Sequence, residues 1–209
     1  YDTVLLTSTL HFPDQEPLYF YKSYDGTHWE SYSAIAGIDT FNGETDMDIY
    51  DYVYFEPEGS SGLMAIMFVA TTDGLVRSGL KLNPASGVPS SFYRVDIDIN
   101  PLSIGVLSKG TLALPRILDI ILLVGTDQGV YRVIVDTVST TEFVYHYSQE
   151  GATDTFSVYT IGINPADTSV RFIGTDKGLW KWNGSDWEIV SDISDVKVNE
   201  VYFDATHNY

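Results

Sequence analysis

The sequence predicts an all-β fold, a β-propeller of four-stranded antiparallel blades with about four blades in this chain. Three observations predict it. A nine-residue pattern recurs three times at intervals near fifty residues, strand-length runs rich in Val, Ile, Thr and Tyr punctuate the chain, and those runs carry apolar residues on both faces. Periods near fifty residues mark arrays of four-stranded units, and β-branched and aromatic residues suit pleated, packed surfaces.

The copies of the repeat are Val69-Ala70-Thr71-Thr72-Asp73-Gly74-Leu75-Val76-Arg77, Val124-Gly125-Thr126-Asp127-Gln128-Gly129-Val130-Tyr131-Arg132 and Ile173-Gly174-Thr175-Asp176-Lys177-Gly178-Leu179-Trp180-Lys181. The first two start 55 residues apart and the last two 49. Each describes a tight hairpin. An apolar strand arrives, Thr and Asp can hydrogen-bond the turn backbone, Gly supplies a positive φ, and a second strand departs. Gly74, Gly129 and Gly178 are therefore expected at turns that exclude a side chain. No helix pattern follows any copy, which argues against a phosphate-cradling glycine loop.

A second match joins distant parts of the chain. Asp25-Gly26-Thr27-His28-Trp29-Glu30 aligns with Asn183-Gly184-Ser185-Asp186-Trp187-Glu188, 158 residues later and about three units away. The strand before each repeated turn also recurs, over 50–57, 158–165 and 198–205, and less clearly over 102–107. In the first of these runs Ile49, Val53 and Phe55 are expected on one face and Tyr50, Tyr52 and Tyr54 on the other. That pattern belongs to a sheet covered on both sides. The expected blade cores are 1–35 with 196–209, 48–96, 102–148 and 155–190, within one domain over 1–209. In this register the chain starts on a second strand and stops just after a first one. Two arrangements fit: a small ring whose ends complete one blade and hide a sheet edge, and a four-blade section of a larger propeller or longer chain.

Composition bounds the partners. The chain has 29 carboxylates against 11 Lys and Arg, a formal charge of −18, and no cysteine. Phosphate recognition needs a basic footprint, so nucleic acid and anionic membranes are poor partners. No apolar stretch is long enough for a membrane-spanning helix, and no membrane insertion is expected. Disulfides and cysteine nucleophiles are excluded, and proteins, glycans and cations stay open as partners.

The residues of the two turns resemble known propeller repeats. Ser23-Tyr24-Asp25-Gly26-Thr27-His28-Trp29 is similar to a shortened Asp-box, the turn of sialidase-like BNR propellers. The Gly-Thr-x-x-Gly copies resemble blades of two-component-regulator-type and photosystem-assembly-factor-type propellers. The resemblance covers nearly the whole chain as architecture and implies a structural turn between third and fourth strands for Asp25, Trp29, Asn183 and Trp187. It does not point to one activity, because such blades occur in enzymes, lectins, sensors and assembly factors.

No catalytic constellation stands out. Of the five arginines, Arg77 and Arg132 share one repeat position with Lys181. A residue repeated once per blade is expected on the blade surface rather than in a single active centre, which argues against sialidase chemistry. The histidines lack ligand spacing, and no nucleophile elbow occurs. A glycan-active hydrolase with paired carboxylates is the alternative reading, and a purely structural module of a surface protein, virion or filament is another.

The expected function is a non-catalytic binding or scaffold module, extracellular or on a cell or virion surface. Its candidate site is the face where inter-blade connections emerge with the turns between second and third strands. The connections 36–47, 149–154 and 191–195 are long and polar, and the repeated turns add Asp73, Asp127 and Asp176. Asp39, Glu44, Asp46, Asp48, Asp154 and Asp192 are the candidate binding residues, for a basic partner or a Ca²⁺ ion. No other cofactor is expected.

Overall fold

In a computed structural model of the chain, the described residues are 5–8, 20–23, 30–32, 49–60, 64–79, 81–82, 92–113, 116–138, 142–151 and 156–203. They form β-strands and turns, with no helix among them. The first sheet joins β1 (Leu5–Ser8), β2 (Phe20–Ser23) and β3 (Glu30–Tyr32) in chain order. The second joins β4 (Ile49–Phe55), β5 (Met64–Thr71), β6 (Gly74–Ser78) and β8 (Phe92–Arg94), with β7 (Lys81–Leu82) pairing β5. The third runs from β9 (Pro101–Ala113) through β10 (Arg116–Thr126) and β11 (Gly129–Thr137) to β12 (Phe143–Gln149). The fourth runs from β13 (Val158–Ile163) through β14 (Arg171–Thr175) and β15 (Gly178–Trp182) to β16 (Trp187–Ser194). All pairings between these strands are antiparallel, and each sheet is an open meander among the described residues.

The third sheet is covered on both sides. Successive side chains of a strand point to opposite faces, so β10 divides its apolar residues. Ile120, Leu122 and Val124 enter a core with Ile66, Phe68 and Leu75 of the second sheet, whereas Leu123 enters a core with Val158, Ile173 and Trp187 of the fourth. All three of Leu122, Leu123 and Val124 are fully buried. Accordingly β9 packs beside both β4 and β13.

Glycines make the close approach possible. A Cβ at Gly105 in β9 would lie 2.7 Å from Ile161 Cγ2, and one at Gly125 in β10 would lie 2.7 Å from Val158 Cγ1. Any larger residue would push β13 off the third sheet.

Two expectations change. The first strand of each later sheet is broken by a one-residue irregularity, at Tyr50, Leu102 and Tyr159. A bulge resets the alternation, so Ile49 and the rest of β4 do not keep a common face. Tyr50 and Tyr54 remain 50% and 38% exposed. Second, residues 198–203 form no strand and join no sheet among the described residues. They lie instead over the fourth sheet, where Val198 N–H donates to the Thr175 carbonyl at 2.9 Å.

Candidate functional site

The three repeated turns share one hydrogen-bond pattern. Thr71, Thr126 and Thr175 donate through Oγ1 to the carbonyls of Gly74, Gly129 and Gly178, at 2.7, 2.9 and 2.9 Å. Each hydroxyl also accepts a backbone N–H two residues on, from Asp73, Gln128 and Lys177, at 3.2, 3.0 and 3.0 Å. The glycines have φ of +108°, +101° and +127°. The positive φ thus follows the two turn residues, the arrangement of a type I turn closed by a glycine. The threonines are buried, so each hydroxyl is locked in place while the turn residues beside it stay accessible.

The inter-sheet connections run across these turns. Val95 N–H donates to the Leu75 carbonyl at 2.8 Å, Glu150 N–H to Val130 at 2.8 Å and Asp195 N–H to Lys177 at 3.0 Å. Ser157 N–H donates to Asp176 Oδ1 at 2.9 Å. Between the second and third sheets, residues 95–100 separate two small clefts. One, of about 240 Å³, holds Asp73 and Asp98 with Arg94. The other, of about 180 Å³, holds Asp98 and Asp127. Asn100 Nδ2 approaches Asp127 Oδ2 at 3.4 Å. Asp73, Asp98 and Asp127 thus line two neighbouring clefts together with Arg94, and Asp176 stands beside Lys177 in the corresponding turn of the fourth sheet.

Among the candidate residues, Asp192 is exposed on β16, where Ser191 Oγ donates to its Oδ1 at 3.3 Å. Asp39, Glu44, Asp46, Asp48 and Asp154 lie outside the described residues, as do Asp25 and Trp29. Asn183 sits in the β15–β16 turn, and its Oδ1 accepts the N–H groups of Ser185 and Asp186, both at 2.9 Å. Trp187 is buried there, and its Nε1 donates to the Glu150 carbonyl at 3.1 Å. Among the described residues no three His, Asp or Glu side chains converge as a metal site.

Two residues differ from the sequence reading. Glu150, counted with the polar connections, is only 8% exposed, and its Oε1 lies 3.3 Å from Arg171 Nη1 and 3.6 Å from Arg132 Nη1. Arg171 in turn stacks on Trp182, 4.3 Å from its ring centre. Arg77, expected on a blade surface, is 6% exposed. Its Nε donates to Tyr145 Oη at 2.6 Å, and its guanidinium carbon lies 3.6 Å from the Phe143 ring centre. Both arginines clamp one sheet to the next. Nothing in the local sequence marks these partners, which lie 21 and 68 residues away.

Toward the far ends of β4 and β13 is a larger cavity of about 850 Å³, lined by Glu56, Glu58, Ser60, Ser108, Lys109 and Thr168 among others. No known protein-family model matches the chain, and no curated protein is significantly similar to it in sequence.

Proposed function

We propose that the sheets are blades of a β-propeller and that the protein is a non-catalytic binding or scaffold module acting outside the cell or on a cell or virion surface. The blade reading is supported by the order in which the first strands β4, β9 and β13 pack side by side. The binding reading rests on one observation: Asp73, Asp98 and Asp127 line two neighbouring clefts on threonine-locked turns and the connection between them, and Asp176 and Asp195 occupy the corresponding turn and connection of the fourth sheet. Loops on a rigid scaffold are where recognition sits, and concentrated negative charge suits a basic protein surface. Asp39, Glu44, Asp46 and Asp48 would extend that surface.

Calorimetric titration with a lysine-rich peptide and with CaCl₂ tests this. The peptide should bind at low salt and weaken as exposed charges are screened over about 8 Å at physiological ionic strength. Charge reversal at Glu44 and Asp46, or Asp98→Asn with Asp127→Asn, should abolish the heat. Binding untouched by both changes sinks the acidic-face reading. Heat with CaCl₂ alone points to the cation version, and silence with both probes leaves the purely structural module.

The larger cavity favours a second reading. Its volume falls within the range of small-molecule sites, and polar groups converge on it. A neutral glycan is the proposed occupant, and a glycan array is the test. Turnover of chromogenic glycosides that is lost in Glu56→Gln or Glu58→Gln would identify a hydrolase.

A further inference from the structure

We propose that residues 198–203 are the first strand of the sheet β1–β2–β3, so that the chain closes on itself through a strand pair with β1. The inference rests on the propeller reading and concerns its closure rather than its ligand. Residues 198–203 repeat, forty positions on, what β13 does. A Cβ at Gly174 would lie 2.7 Å from Val198 Cγ1, as one at Gly125 would lie 2.7 Å from Val158 Cγ1. A Cβ at Gly162 would lie 2.5 Å from Val201 Cγ1 and 3.3 Å from Phe203 Cε2, where one at Gly105 meets Ile161 and Ile163. Thr160 Oγ1 accepts Val201 N–H at 3.2 Å, as Asp51 Oδ2 accepts Ile104 N–H at 2.8 Å. The segment thus occupies the seat of a first strand on the fourth sheet.

What it lacks is a sheet of its own. Among the described residues no strand pairs with it, and Tyr202 is 81% exposed. Conversely, among the described residues β1–β2–β3 has three strands where the third and fourth sheets have four, and β1 is its edge. In each of the later sheets the first strand pairs antiparallel with the strand that enters the next hairpin. β1 enters the hairpin to β2, and Leu6-Thr7-Ser8 matches the aliphatic and hydroxyl ends of Ile173-Gly174-Thr175, with Thr7 in the place of the glycine. Because Thr160 pairs Gly174, Glu200 falls opposite Thr7. An unpaired edge is a liability that such a pairing removes.

The chain has no cysteine, so a pair introduced as Glu200→Cys with Thr7→Cys reports without background. Mild oxidation of the folded double variant should give an intramolecular disulfide in the monomer, with Leu6→Cys and Ser8→Cys as register controls. The unmodified protein supplies a second measurement, in which hydrogen exchange should protect the amides of both β1 and residues 199–203. Rapid exchange of both segments, or a folded double variant that stays reduced at all three registers, overturns the proposal. Disulfide-linked dimers alone also overturn it, because a second copy then supplies β1. Peptide, cation and glycan binding are read separately, so failure of closure and failure of the binding reading are distinguishable.

Discussion

Asp51 of β4 reaches across to β9, where its Oδ2 accepts the backbone N–H of Ile104 at 2.8 Å. The same job recurs along the molecule with different chemistry. Ser103 of β9 donates through Oγ to the Val158 carbonyl at 3.1 Å, and Thr160 of β13 accepts Val201 N–H at 3.2 Å. All three residues follow the irregularity in their strand and stand opposite a small residue, Ala70, Gly125 or Gly174. The second sheet is bolted to the third, the third to the fourth, and the fourth to the segment 198–203, at the same place in each first strand.

The first bolt is sensitive to pH. Burial pushes the Asp51 carboxyl above the ordinary aspartate value of 3.8, against the pull of the Ile104 and Tyr52 amides. Folding therefore favours the protonated form. The contribution of Asp51 to stability is fully present below 3.8 and is lost as pH rises through the raised folded value. Denaturant unfolding across this window should show the native protein losing stability relative to Asp51→Asn as pH increases. A difference between the two proteins that does not change with pH would refute the assignment. Asp51→Ala, which strips the acceptor from a buried amide, should cost about 1–3 kcal/mol.

The threonine hydroxyls hold the repeated turns. Thr126→Val keeps the shape and leaves the Gln128 amide and the Gly129 carbonyl without their partner. The expected cost is about 1–3 kcal/mol, and Thr126→Ser should recover most of it. Equal stability of the valine and serine variants would mean that the hydroxyl is idle. Thr71 and Thr175 should behave alike.

The turn glycines should not be equivalent. All have positive φ, but the surroundings differ. At Gly74 the nearest atoms to an added Cβ belong to the flexible Arg94 guanidinium, 3.8 Å away. At Gly178 an added Cβ would strike the backbone carbonyl of Ile193. Gly74→Ala should therefore cost about 1 kcal/mol, from backbone conformation alone. Gly178→Ala should cost clearly more, because a backbone atom must move. Thermal melts showing equal losses would place the collision elsewhere.

Much of this framework was legible in the sequence because it rests on local chemistry. A Thr-x-x-Gly turn carries its own hydrogen bonds, so three copies at near-equal spacing revealed the hairpins and the sheet spans. The bolts were not legible. Asp51, Ser103 and Thr160 share a position but neither residue type nor spacing, being 52 and 57 residues apart. The bulge at Tyr50 also takes Ile49 off the face of Val53 and Phe55. Asp119 interrupts the most apolar run by taking φ of +61° and turning outward, a conformation that composition does not announce. Glu150 read as one more loop carboxylate. Its burial is decided by Arg171 and Trp187, which only the fold brings near.

That last contact makes the sharpest test of what joins the third and fourth sheets. Burial pushes the Glu150 carboxyl up and the Arg171 guanidinium down from their ordinary values, although each charge favours the other's ionised form. Desolvation thus outweighs the mutual attraction, and the pair is weak as a source of stability. It is nonetheless hard to break. Removing Glu150 strands the Arg171 charge against Trp182 and Trp187, whereas removing Arg171 leaves the Glu150 carboxylate facing Arg132. Glu150→Leu should cost about 3–5 kcal/mol, and Arg171→Met less, because Arg132 still faces the carboxylate. The double variant should recover most of that loss, because apolar side chains of similar size fill the same space between the sheets. Additive losses in the double-mutant cycle would show that the two side chains do not act as a pair. Tryptophan fluorescence offers an independent readout, since Trp182 and Trp187 line the contact and should report an altered environment in each single variant and a near-native one in the double.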